Sequence, residues 1–141
     1  MSVRFVQEGD YAAVLQFYTE FTGEEYTLSK EVFADYINTT LQNHHMIYVI
    51  ENLEGIPVGC ATLLIEKKLI HDGSKVAHIE DVIIGSGFRG QGYGKLLINA
   101  LINTAQMDGC YKVILDCANE VRPFYESCGL VEKGVQMALY F

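Results

Sequence analysis

Residues 82–97 read VIIGSGFRGQGYGKLL. This stretch leads from an apolar strand end, through a loop with glycine at alternate positions, into an amphipathic helix. Glycine allows a tight turn with positive φ and close approach to a ligand. The first N–H groups of a helix have no internal partner and lie at the positive end of its dipole. The segment therefore predicts an anion site suited to a diphosphate, flanked by Arg89 and Lys95.

Outward from this loop, hydrophobic periodicity predicts the order β-α-α-β-β-β-α-β-α-β in a single α/β (α+β) domain over residues 1–141. The sheet would be mixed and mostly antiparallel, with one β-α-β crossover. Asp10 and Ser29 are the expected helix N-caps. The predicted strands are 3–6, 45–51, 58–69, 75–84, 112–116 and 131–141, and the predicted helices are 10–22, 29–41, 94–106 and 121–128.

Composition narrows the class of protein. Half of the 141 residues are hydrophobic, and the formal net charge is -8. An acidic chain does not attract nucleic acid or an anionic membrane by its overall field. No apolar run approaches the ~20 residues of a membrane span, and the first residues lack an apolar signal region. We therefore expect a soluble cytoplasmic protein without nucleic-acid or membrane partners.

The four cysteines, Cys60, Cys110, Cys117 and Cys128, form no C-x-x-C pair and have no histidine at zinc-finger spacing. They are interpreted as reduced core thiols, and no metal is expected.

Two other glycine-rich nucleotide-binding patterns fit this sequence less well. The nucleotide-hydrolase pattern can begin at Gly87 but has Tyr93 where lysine is required. The dinucleotide pattern can begin at Gly90 but has Lys95 where its third glycine is required. Asp116, about 20 residues further on, favours the dinucleotide alternative, but only one β-α-β unit is predicted. A glycine-rich turn that binds no ligand is a further alternative.

Residues 89–94, RGQGYG, resemble the R/Q-x-x-G-x-G/A signature of the GNAT superfamily. Residues 78–82, 109–117 and 124–129 are similar to motifs of the eukaryotic glucosamine 6-phosphate N-acetyltransferases, and the likeness is dense over residues 66–137. The resemblance implies a GNAT fold with acetyl-CoA as co-substrate. It also implies direct acetyl transfer to the 2-amino group of glucosamine 6-phosphate in a ternary complex, a step of UDP-N-acetylglucosamine synthesis.

The resemblance also implies the cofactor residues. The strand before the loop would run along the pantetheine arm, and the loop and helix start would hold the pyrophosphate. A family asparagine on the cofactor side is matched by Val121, with Asn119 close by. The expected cofactor set is Val82, Ile83, Ile84, Arg89, Gly90, Gln91, Gly92, Tyr93, Gly94, Lys95 and Asn119.

By the same resemblance, Tyr125 protonates the departing thiolate, Asp116 lies near the reacting amine, and Glu80 and Asp81 lie near the sugar. The expected catalytic set is Tyr125, Asp116 and Glu80. Strand alternation predicts that Glu80 and Asp81 point to opposite faces, and we expect at least one of the three carboxylates to be structural. The implied substrate set is Thr22, Lys68, Leu69, Ile70, His71, Glu80, Asp81, Tyr111 and Lys112, with Tyr111 and Lys112 reaching across a homodimer interface.

One departure concerns the substrate phosphate. The family has a basic residue near its C-terminal end, where this chain has Tyr140, so Lys68, Lys112 or Arg122 would have to compensate. The apolar final strand, residues 131–141, needs its edge covered, and the family uses it in a homodimer. Three alternatives stay open: a GNAT enzyme for another amine (an amino sugar, a polyamine or a peptide N-terminus), a CoA-binding protein without activity, and a dinucleotide-binding module.

Overall fold

The computed structural model describes residues 1–41 and 44–141. In this part of the chain one sheet has the order β1-β2-β3-β4-β5. Neighbours are antiparallel from β1 to β4, and β5 runs parallel to β4. The strands are β1 (Ser2–Phe5), β2 (His45–Glu51), β3 (Pro57–Lys67), β4 (Lys75–Ile84) and β5 (Cys110–Ile114).

Apart from the single turn α3, which the sequence does not predict, the helices are distributed as the periodicity predicts, and α4 makes the crossover between the parallel strands. Short 3₁₀ turns at Glu8–Asp10, Ser86–Phe88 and Asn119–Val121 precede or connect them. The helices are α1 (Tyr11–Thr22), α2 (Lys30–Thr39), the single turn α3 (Ile70–Gly73), α4 (Tyr93–Met107) and α5 (Arg122–Glu126).

The sheet has a hydrophobic core on each face, because its side chains alternate in direction. Ile50 joins a cluster with Leu97 and Leu101 of α4, whereas its neighbour Val49 joins a cluster with Val14 of α1. All five side chains are fully buried. Burial of side chains this large contributes roughly 1.5–3 kcal/mol each. The sheet is thus held rigidly between α4 and the α1/α2 pair.

The start of α1 differs from the cap that the sequence predicts. Asp10 precedes the helix, but its carboxylate does not cap it. The carboxylate instead accepts the N–H of Gln7 (2.8 Å) and two N–H groups of Arg4 (2.8 and 2.9 Å). Arg4 also donates to Glu51 of β2 (2.6 Å). Ser29 does cap α2, since its Oγ accepts the N–H of Val32 at 3.2 Å.

The predicted final strand is wrong for the single chain. Residues 127–141, the tail, contain neither helix nor strand in the structure. Val135, Met137 and Tyr140 are about nine-tenths exposed. A strand exists only when a neighbour hydrogen-bonds to it, and within the described residues no strand pairs with this segment.

The cysteines depart in part from the expected core thiols. All four are free, and only Cys60 is buried, whereas Cys117 is exposed. Cys117 leaves the core because β5 ends at Ile114, two residues before the predicted strand end. Among the residues that the structure describes, no helix has the length and apolar character required to cross a membrane.

Candidate active site

A cavity of about 970 Å³ opens where β4 separates from β5. The two strands pair only from Lys75 to His78 of β4, so the backbone beyond His78 has no β5 partner on that side. The cavity is bounded by the second half of β4, the glycine loop, the start of α4, the segment after β5 and α5. Unpaired backbone beside a cavity provides N–H and C=O groups for a ligand.

A β-bulge in β4 lies at two acidic residues of the cavity wall. Asp81 and Val82 together stand opposite Ala61 of β3, and Asp81 has a left-handed φ of 51°. An extra residue in one strand interrupts the alternation of side chains. Glu80 and Asp81 consequently both line the cavity. The bulge interrupts the regular alternation on which the expectation of opposite faces rests.

The glycine loop is shaped for an anion. Gly90 and Gly92 have φ values of 75° and 88°, which only glycine adopts without strain. Gly92 is the N-cap of α4 and leaves its first N–H groups without a side-chain cap. Gly94 is needed for space instead, since an added Cβ would lie 3.1 Å from the ring of Phe124. Main-chain amides at a helix start are therefore presented to the cavity.

Two contacts hold this loop in place. The Glu20 carboxylate of α1 accepts the N–H of Ser86 at 2.8 Å, and this hydrogen bond lowers the pKa of Glu20. Arg89 donates from Nε to the carbonyl of Ile84 at 3.0 Å. The loop is thus tied both to α1 and to the end of β4. Glu20 carries no motif, and sequence reasoning missed it.

Tyr125 lies in α5 with its half-buried side chain on the cavity wall. Burial, with a smaller contribution from Cys117 and Cys128, raises the pKa of Tyr125 to about 12. Its ring packs edge-on against Phe124, with centroids 4.9 Å apart. The phenol therefore keeps its proton at neutral pH and is available as a proton or hydrogen-bond donor.

Asp116 follows β5 and completes a cluster of three carboxylates with Glu80 and Asp81. Burial, and then repulsion from Asp116 and Asp81, raises the pKa of Glu80. Like charges placed close together favour uptake of a proton or of a cation. The cluster is thus suited to an ammonium group and to accepting a proton from it.

Most of the expected cofactor residues meet in this cavity, but several do not line it. Ile83 points into the core on the α1 side and is 2% exposed. Gln91, Lys95 and Asn119 lie near the cavity in sequence but are not part of its wall. Those that do line it are Val82, Ile84, Arg89, Gly90, Gly92, Tyr93 and Gly94.

Three of the expected acceptor residues outside β4 form a separate cluster in this chain, namely His71, Tyr111 and Lys112. His71 stacks edge-on with Tyr111 at 5.0 Å, and Lys112 Nζ lies 5.4 Å from the same ring. Lys68 pairs with Glu66 at 3.0 Å. The cavity of the same chain does not include Lys68, Leu69, Ile70, His71, Tyr111 or Lys112.

Thr22 is also outside the cavity wall, although its neighbour Phe21 belongs to it. Its Oγ accepts hydrogen bonds from the hydroxyl of Tyr26 and the N–H of Glu24, both at 3.1 Å. Cys117 and Gln136 also line the cavity and were missed. Cys117 was detectable by its position beside Asp116, whereas Phe21 and Gln136 come from distant segments and gave no local signal.

The fold and the site define the class. Residues 11–130 match the model of the acetyltransferase (GNAT) family. The chain belongs to the GNAT family of acetyltransferases, as the RGQGYG motif and the strand order indicate. The family resemblance and the fold class inferred from the sequence are confirmed.

Within that family, the named relatives share one activity. The chain is 43% identical over 116 residues to the glucosamine 6-phosphate N-acetyltransferase of Candida albicans, covering 81% of this chain and 78% of the relative. It is 44% identical over 98 residues to that of Arabidopsis thaliana, covering 69% of this chain and 66% of the relative. The crystal structure of the Arabidopsis thaliana enzyme superposes with a TM-score of 0.91 at 33% identity, over 99% of this chain and 97% of that one. The chain spans about two thirds of the length of the rice and Arabidopsis relatives.

Proposed function

We propose that this protein transfers the acetyl group of acetyl-CoA to the 2-amino group of D-glucosamine 6-phosphate. The product is N-acetyl-D-glucosamine 6-phosphate, which places the enzyme in cytoplasmic UDP-N-acetylglucosamine synthesis. One observation carries the proposal. This chain is 43% identical to a protein named glucosamine 6-phosphate N-acetyltransferase, and its glycine loop, Tyr125 and carboxylate cluster surround one cavity.

The residues present fit acetyl-CoA. The amides between Gly90 and Gly94 suit its pyrophosphate, and Arg89 adds a positive charge beside them. The unpaired backbone of β4 offers hydrogen bonds to the amides of the pantetheine arm. This orientation directs the acyl end towards Tyr125.

The chemistry follows from the groups at that end. Once a carboxylate of the Asp116 and Glu80 pair has taken a proton from the sugar ammonium, directly or through water, the amine nitrogen attacks the thioester carbon. The new C–N bond forms and the C–S bond breaks. Tyr125 donates its proton to the departing thiolate, the new amide nitrogen releases its extra proton to solvent, and Tyr125 is reprotonated from solvent. Among the described residues, no histidine lines the cavity to activate Cys117 as an acyl carrier, so direct attack is favoured.

The sugar phosphate requires cations, and the described residues of one chain place none on the cavity wall at the acceptor end. Arg89 is the cation on the cavity wall within the described residues, and it lies at the cofactor end. We propose a homodimer in which the apolar tail pairs with a second copy. Lys112 and Lys68 of each copy would then serve the acceptor site of the other, with phosphate held as by a point charge.

A thiol-release assay with glucosamine 6-phosphate and unphosphorylated glucosamine tests the proposal. We expect the phosphorylated sugar to have the higher kcat/KM, and Tyr125→Phe to lower kcat by about a hundredfold. Equal rates with both sugars would contradict the phosphate site. No thiol release with either sugar would contradict the proposed acceptor.

A second candidate is a GNAT enzyme for another amine. The observation that favours it is a carboxylate-rich acceptor end combined with Tyr140 where the family has a basic residue. An unphosphorylated amino sugar or a polyamine would match those charges. A polyamine arm in the same assay separates the two candidates.

A further inference from the structure

The tail reaches back to the active site through one side chain. Gln136 donates from Nε2 to Oδ2 of Asp116 at 2.7 Å and lies on the cavity wall. Another side-chain contact of the tail, an ion pair of Glu132 with Arg122 at 2.7 Å, lies closer to α5. The residues around Gln136 are exposed. A tail that is exposed from Val131 onward thus contacts a carboxylate of the reaction centre.

The contact leaves Asp116 with one oxygen engaged and one open. Oδ2 accepts the amide N–H of Gln136, and among the described residues Oδ1 accepts no hydrogen bond. An ionised carboxylate accepts at both oxygens, and a hydrogen bond to one of them restricts its rotation. Oδ1 is therefore the oxygen left free to accept a further hydrogen bond.

The chemistry of the donor matters because the surroundings are acidic. Glu80 and Asp81 lie in the same cavity, and Cys117 follows Asp116 directly. A lysine in place of Gln136 would pair with Asp116 and compete with the substrate ammonium. A carboxylate would add to the existing repulsion. A neutral amide donates a hydrogen bond without either effect.

We propose that Gln136 is a positioning residue for acetyl transfer: it fixes the Asp116 carboxylate so that Oδ1 faces the acceptor amine. The role rests on the proposed function. Because Gln136 belongs to the tail, the orientation of the Asp116 carboxylate depends on where the tail lies. Displacement of the tail would leave Asp116 in the site without the hydrogen bond that orients its carboxylate.

The test compares Gln136→Met with Glu132→Gln. Methionine has nearly the length of glutamine and lacks the donor, whereas Glu132→Gln weakens the other tail contact without touching Asp116. Loss of one hydrogen bond to a charged group predicts about a tenfold fall in kcat for Gln136→Met. The KM for acetyl-CoA and the thermal midpoint should stay unchanged, and Glu132→Gln should remain within about twofold of wild type.

A double-mutant cycle separates positioning from general support. In an Asp116→Ala background, Gln136→Met should have no further effect on kcat, because the group that it orients is absent. An equal tenfold loss in both backgrounds would overturn the proposal. So would equal effects of Gln136→Met and Glu132→Gln.

The two proposals fail differently. A wild-type protein without activity on glucosamine 6-phosphate overturns the proposed acceptor and with it this role. An active wild type whose Gln136→Met variant is equally fast overturns the positioning role alone.

Discussion

The two ends of the chain are held in opposite ways. The N-terminal strand β1 is paired with β2, and Arg4 joins it to Asp10 and Glu51 by short ion pairs. The C-terminal tail is at least as apolar, yet it is exposed and contacts the body at few points. The N-terminal end, whose hydrogen bonds and ion pairs are all made within one chain, stabilises the fold. The C-terminal tail, whose apolar residues are not covered by the same chain, offers a surface to a second copy. It also places the side chain of Gln136 at the reaction centre.

The largest effect on stability is expected at the N-terminal clamp. Arg4→Met leaves the Asp10 carboxylate, which is 4% exposed, without its cation. Removal of one partner of a buried pair should lower the free energy of unfolding by about 3 kcal/mol. Urea denaturation measures this loss. Lys75→Met, which breaks the more exposed pair with Asp108, is the matched control and should cost less than about 1 kcal/mol.

Deletion of residues 131–141 should affect activity instead of folding. We expect kcat/KM for glucosamine 6-phosphate to fall by about a hundredfold, because the variant loses Gln136 and the proposed dimer surface. Light scattering should show a monomer, while isothermal titration should show acetyl-CoA binding retained. A truncated protein that is dimeric and fully active would remove the distinction between the two ends.

Acid should weaken the N-terminal clamp selectively. Burial raises the pKa of Asp10, but the hydrogen bonds from Arg4 and Gln7 outweigh it and bring the pKa below its ordinary value. A lowered folded-state pKa contributes stability that is full above the unfolded value, about 3.9, and is lost as the pH falls towards the folded value. The stability difference between wild type and Asp10→Asn should therefore shrink below about pH 4. A difference that persists at pH 2 would argue against the ion pair.

The smallest effect is expected from giving the tail a cation. Tyr140→Arg should lower the KM for glucosamine 6-phosphate by about fivefold, since an arginine binds phosphate through paired N–H groups. The KM for unphosphorylated glucosamine should not change. Equal changes for both sugars would place Tyr140 away from the substrate phosphate.

The site could be predicted only where its chemistry is local. The turn at Gly90 and Gly92 and the start of α4 follow from spacing, because a glycine loop before a helix specifies its own conformation. The direction of Asp81 could not be predicted, because the bulge depends on how β3 pairs with β4. Gln136 gave no signal, since twenty residues separate it from the carboxylate that it contacts.

By itself the sequence determined the class of protein, the element order up to α5 apart from the single turn α3, and the residues of the anion loop, because local periodicity and backbone preference decide these features. Only the tertiary structure decided which side chains share the cavity. It brings Glu80 and Asp81 into the wall of one cavity, places the Glu20 carboxylate against the N–H of Ser86 and leaves the tail unpaired. Contacts between distant segments depend on strand register and packing, which no local pattern encodes.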